Sequence, residues 1–135
     1  MREILFRGKR KDNGEWLQGD LRHWNNGEVG IHCDILHRTI KVDPETVGQF
    51  TGQFSDLFGV GGKRIFEGDV IKYFDIIVNK ELTSCVEWWE DGFVAQEIGG
   101  FNAPSLSLVF GESQIEIIGN IHDNPELLKG VEGNG

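Results

Sequence analysis

Gly62-Lys63-Arg64-Ile65-Phe66-Glu67-Gly68-Asp69-Val70-Ile71-Lys72, read with Ile117-Ile118-Gly119-Asn120-Ile121-His122-Asp123-Asn124-Pro125-Glu126-Leu127-Leu128, decides the fold of this chain. The first stretch reads as strand, Gly-Asp turn, strand, and the second as a last strand running into a helical turn started by Pro. Gly68 can open the turn, and the Asp69 carboxylate can accept backbone N–H bonds, mimicking a turn of backbone. At Asn124-Pro125, Asn caps the turn that Pro begins, Glu126 sits near the positive end of its dipole, and Leu127 and Leu128 pack inward. These stretches specify an architecture more clearly than a reaction.

Outward from them, hydrophobic runs of four to seven residues, 19 Gly, 9 Phe, 3 Pro and 1 Met in 135 residues favour short strands over helices. An all-β chain follows, with room for one modest core or a small barrel with an appended subdomain. Ile4 and Phe6 alternate with charges as a first strand, and Asp12-Asn13-Gly14-Glu15 turns it back. Residues 16–35 read as a meander, with Val29, Ile31, Cys33 and Ile35 on one face. Strands at 39–42 and 47–51 follow, separated by Asp43-Pro44-Glu45.

Between Gly52 and Gly62 lies a Gly-rich loop with Phe54, Leu57, Phe58 and Val60, a cluster that needs cover and marks a candidate interface. In the second half, strands are expected at 65–74, 76–78, 86–89, 93–95, 106–110 and 115–121, with a bulge at Gly119. Glu90-Asp91-Gly92 is a hairpin signal, since Gly accepts a positive φ. Trp88 and Trp89 then point to opposite faces, one into the core and the other partly exposed or at an interface, with Trp89 the interface candidate. The expected organisation is a β-meander subdomain over 1–52, a loop over 53–62, a β module with its helical turn over 63–129, and a disordered tail over 130–135. Residues 16–21 and 65–70 share a pattern at a spacing of 49, which admits a duplicated unit but is easily produced by chance in a Gly-rich β protein.

The formal charge of −9 and a pI near 4.8 disfavour nucleic acid and anionic lipid as partners. The first eleven residues carry +4, through Arg2, Arg7, Lys9, Arg10 and Lys11 against Glu3, leaving −13 for 12–135. A solvated strand edge guarded by Lys and Arg explains that segment better than a phosphate site. Met1 to Lys11 lacks a secretory pattern and no apolar run suits a membrane span, so a reducing cytoplasm is expected for Cys33 and Cys85.

No convergent catalytic set emerges. Glu67 with Asp69 is a poor acid–base pair, and His32-Cys33-Asp34 with His37, even helped by His23 or His122, lacks metal-ligand spacing. Acidic neighbours oppose thiolate formation at Cys33 and Cys85. Residues 59–64 lack the ending of a phosphate loop, and Glu87, Glu90 and Asp91 oppose nucleic-acid stacking on the Trp residues. No enzyme, metal or cofactor is expected.

The chain resembles the YopX-like family of bacteriophage and prophage proteins of Gram-positive bacteria. The likeness rests on Arg2 to Phe6, Val47-Gly48-Gln49-Phe50-Thr51-Gly52, the stretch 62–71, Val86-Glu87-Trp88 with Asp91-Gly92-Phe93, and 115–121 running to Asn124-Pro125-Glu126-Leu127-Leu128. It departs at 53–61, where an apolar insertion replaces a short polar loop. The resemblance implies a C-terminal half built as an SH3-type β-barrel, self-association into a homo-oligomer, action in the cytoplasm of a bacterial host, and no assigned activity, cofactor or catalytic residue. The expected role is a non-enzymatic phage accessory module binding a phage or host protein. Its alternatives are an acidic decoy of a host nucleic-acid-binding protein and a small nucleic-acid-binding barrel.

Overall fold

A computed structural model describes residues 3–55, 62–112 and 115–130. The described chain is all-β with two short helices, and its packing divides it into two units, Met1–Gly52 and Gln53–Gly135.

In the first unit, β1 (Phe6–Lys9), β2 (Trp16–His23), β3 (Val29–Cys33), β4 (Arg38–Val42) and the start of β5 (Gly48–Phe54) lie in the order β4-β3-β2-β1-β5, with each neighbouring pair antiparallel. The turns are those the Asn-Gly pairs dictate. Asn13 Oδ1 accepts the Glu15 N–H at 2.9 Å, and Asn26 Oδ1 accepts that of Glu28 at 3.0 Å. Val29, Ile31 and Val42 form the core, with Phe6, Leu17, Leu21 and Val47 packed against it.

Strand β3 ends at Cys33, so Ile35 is not on the core face but stands 88% exposed in a turn closed by His37 at φ 55°. The Asp43-Pro44-Glu45 punctuation forms a 3-10 turn over Pro44–Thr46, with Asp43 Oδ1 accepting the Glu45 N–H. Buried Thr46 donates its hydroxyl to Asp43 O at 2.7 Å and accepts the Lys9 N–H at 2.9 Å. An Arg10–Val42 bridge then brings β1 back toward β4, so the sheet curls. Gly19 permits that curl, because a Cβ there would meet the His32 carbonyl oxygen.

The second unit holds β6 (Arg64–Phe66), β7 (Asp69–Asp75), β8 (Lys80–Trp89), β9 (Gly92–Glu97), α1 (Leu106–Glu112), β10 (Glu116–Asn120) and α2 (Leu127–Gly130). β10-β7-β8-β9 form an antiparallel sheet, and β6 neighbours the end of β5, where the Ser55 N–H donates to Lys63 O at 2.8 Å. The closed SH3-type barrel expected here is not formed among the described residues. With β6 paired elsewhere, four strands remain, too few to close. Their open face is covered by α1, and Ile65, Ile71, Tyr73, Leu82, Val86, Ala95, Leu106, Val109 and Ile115 make the core.

Three local expectations are corrected. Residues 106–110 form a helix, because Leu106 and Val109 are buried three apart while Leu108 is 61% exposed, a helical rather than an alternating pattern. Residues 76–78 are a hairpin turn, not a strand. The likeness of 16–21 to 65–70 is, as the Gly-rich composition allows, a chance pattern and no correction, since the former lies within β2 and the latter spans strand, turn and strand. Gly130 belongs to α2 rather than to a disordered tail; residues 131–135 lie outside the described set.

Gly68 sits at φ 92°, a region open to Gly at little steric cost. Its N–H donates to Val86 O at 2.8 Å and its carbonyl accepts the Ile121 N–H at 2.9 Å, while Asp69, 2% exposed, accepts the Phe66 N–H at 2.8 Å. Asp69→Ala strands that buried N–H and should lower stability by about 1–3 kcal/mol. Gly68→Ala should cost roughly 1–2 kcal/mol. Urea unfolding of both variants checks this; native-like midpoints would remove the turn from its central place.

Candidate functional site

The sheet β10-β7-β8-β9 presents its apolar surface at the two ends of β8. At one end Asp75, buried at 9% exposure, turns its carboxylate onto the β7–β8 connection, where Oδ1 accepts the N–H of Ile77 at 2.8 Å and of Val78 at 3.2 Å. Asn79 takes φ 56° to close the four-residue loop, a conformation Asn tolerates. The side chains around it face water: Phe74 is 45% exposed, Ile76 58%, Ile77 85% and Val78 37%. The sequence reading missed this tip by extending a strand through Ile76-Ile77-Val78. The overlooked signal is Asp75 with Asn79 four residues on, a carboxylate for the turn amides and an Asn for its exit.

At the other end, the β8–β9 hairpin pairs Trp89 with Gly92 and Trp88 with Phe93, leaving Glu90-Asp91 as a two-residue turn. Gly92 does not adopt a positive φ; its place in the ladder, and not its handedness, is what the hairpin uses. Trp88 and Trp89 are 54% and 45% exposed, so neither lies in the core, contrary to the expectation for one of them. The reason is position along β8. Leu82 and Val86 carry the core, and by residue 88 the strand has run past it. Trp88 is steadied by Phe93, with ring centres 4.8 Å apart and planes at 68°. Trp88, Trp89, Glu90 and Asp91 line an open pocket of about 550 Å³.

The other singled-out residues are dispersed. Asn124 does not cap the terminal turn with its side chain; Oδ1 accepts the Asn120 N–H at 3.3 Å, and the Asn124 carbonyl takes the Leu127 N–H at 3.0 Å. Pro125 begins the turn and accepts the Leu128 N–H, but only Leu127 is half-buried, while Leu128 is 39% exposed. β10 carries the expected irregularity, a register shift between Ile117 and Gly119. Phe54 is half-buried beneath the Arg64 guanidinium at 5.8 Å, and its companions Leu57, Phe58 and Val60 lie outside the described residues.

The basic first strand is engaged locally. Arg7 and Lys9 stand over the Trp16 ring at 4.7 and 5.4 Å, and Arg10 forks onto Asp12 through bonds of 2.8 and 2.7 Å. That fork raises the Arg10 pKa and lowers that of Asp12. His32 Nδ1 meets Thr39 Oγ1 at 3.1 Å and Nε2 lies 3.6 Å from Asp34. Among the described residues no three His, Cys, Asp or Glu side chains are grouped to hold a metal ion, and no helix is long and apolar enough to cross a membrane.

Burial, followed by the charges of Glu87, Asp69 and Glu67, pushes the Cys85 thiol up to about 12, so it is protonated at neutral pH.

Against known proteins, the family model described as YopX protein matches residues 5–129. No curated protein and no solved structure matches the chain.

Cys85 generates a prediction of definite sign. Its folded pKa is raised above the ordinary 9.0, so above pH 9 the unfolded thiol loses a proton that the native one keeps. Its contribution to stability is intact below pH 9 and declines as pH rises toward 12. Urea midpoints below pH 9 and between pH 9 and 12 should therefore converge in Cys85→Val relative to the native chain. Maleimide at neutral pH should label half-buried Cys33 in the native protein and reach Cys85 only in denaturant.

Proposed function

From its membership of the YopX family, to which this chain belongs, we propose that the protein is a non-enzymatic bacteriophage or prophage accessory module that self-associates and binds a phage or host protein in the bacterial cytoplasm. The observation that carries this reading is the apolar β7–β8 tip. Soluble chains seldom hold contiguous apolar side chains in water without a partner to cover them. Here Phe74, Ile76, Ile77 and Val78 are held out by a turn whose geometry a buried carboxylate enforces. A tip that is already ordered loses little conformational freedom on docking, which favours association. The first copy of the chain available to cover it is another of its own kind.

An acidic decoy of a nucleic-acid-binding protein remains the second reading, supported by the −13 carried over 12–135.

Sedimentation of the full chain over a range of concentrations tests the self-association. The native protein should run heavier than its 15.2 kDa subunit. Ile76→Asp with Ile77→Asp, both on exposed side chains, should return it to that mass with an unchanged melting curve. A native chain that stays monomeric, or a variant that stays assembled, overturns the reading.

A further inference from the structure

The two tryptophans of the first unit already carry cations. Arg7 and Lys9 cover Trp16, and Lys41 lies 5.9 Å from the Trp24 ring centre while it also pairs with Glu28 at 3.1 Å. The two at the β8–β9 tip do not. Among the described residues no cation stands over Trp88 or Trp89, and neither Glu90 nor Asp91 makes an ion pair or a side-chain hydrogen bond. Glu87, two residues before Trp89 and therefore on its face of the strand, is likewise without an ion pair. Two half-exposed indoles and the carboxylates of Glu90 and Asp91 thus line one open pocket of about 550 Å³ at the hairpin end, with the Glu87 carboxylate nearby on the strand.

We propose that this pocket binds an arginine side chain presented by a partner protein segment. The proposal rests on the reading of the chain as a protein-binding module and names the chemistry of what it takes at this end. A cation is attracted to an indole face and to carboxylates, and the two attractions act together where both line one pocket. An anion, including a nucleic-acid phosphate, meets repulsion from all three carboxylates. Arginine suits the pocket better than lysine because its planar guanidinium stacks on an indole while its edge donates paired hydrogen bonds to a carboxylate. Both halves of that mode occur elsewhere in the chain, in Arg7 over Trp16 and in the forked Arg10–Asp12 pair. The two-residue turn and the Phe93 contact hold Trp88 in place before any ligand arrives.

Calorimetric titration of the full-length protein with a Gly-Ser peptide bearing three arginines tests this. The same peptide with citrulline, which keeps the shape and removes the charge, is the control, and a lysine version ranks the cations. The arginine peptide should bind saturably and about tenfold or more tighter than the citrulline peptide, with lysine between them. Trp88→Ala and Trp89→Ala should each weaken binding several-fold, and Glu90→Gln with Asp91→Asn should weaken it and flatten its salt dependence. These side chains lie outside the core, so thermal unfolding should stay native-like in every variant.

Absence of saturable binding, equal binding of the citrulline peptide, or full binding by both Trp variants overturns the proposal. Such a result leaves the assembly test at the β7–β8 tip standing, because the Trp variants should sediment as the native chain does. If the native chain is monomeric yet takes the arginine peptide, the self-association reading fails and this site survives.

Discussion

Four strands of the second unit depend on one turn. Gly68 can adopt a left-handed conformation because it has no side chain, and in doing so it points its N–H at Val86 of β8 and its carbonyl at Ile121, just past β10. Asp69 follows with a buried carboxylate that fixes the end of β6 through the Phe66 amide. A charge out of water is costly unless hydrogen bonds compensate it, so the carboxylate and the amide hold each other in place. The sheet, its α1 cover and both β8 hairpins are assembled around that arrangement. The same Asp adds, after burial and the charge of Glu87, to the raised pKa of Cys85.

β8 is longer than the core it serves, and that mismatch leaves apolar side chains in water at both of its ends. Its middle residues Leu82 and Val86 are buried, and its ends project a different chemistry in each direction. One end is aliphatic and held in shape by Asp75; the other is aromatic with acidic neighbours. The two ends are dissimilar and neither belongs to the core cluster, so the surface chemistry of one is set independently of the other.

Turn chemistry was the most legible part of the sequence, because Asn-Gly, Gly-Asp and Asp-Pro act through their own backbone and need no tertiary context. The meander, the 3-10 turn at Pro44 and the 119 bulge all follow from such local signals. Closure of the second half was not legible, since it depends on whether β6 stays with β7 or pairs at β5, a choice between distant segments. The helix at 106–112 was misread for a different reason: Leu106, Leu108 and Phe110 alternate, but Leu106 and Val109 also lie on one helical face, and only packing under the sheet selects between the periods. At the site, Trp88 and Trp89 were visible as residue types but not as a pair past the end of the core. The Ile76–Val78 tip was hidden because exposed aliphatics read as strand.

The segment after β9 folds back along that strand's outer border, where the Ala95 N–H donates to Pro104 O and the Glu97 N–H to Asn102 O. That occupation has a consequence for polymerisation. A sheet grows into a fibre only if each added copy offers a fresh border as it uses one, which requires two free borders per copy. Here β9 is taken by its own chain, so among the described residues β10 is left as the border at which this sheet could meet another. Two copies joined there antiparallel would be related by a twofold axis and would present no further border, so strand pairing through this sheet terminates in a closed pair.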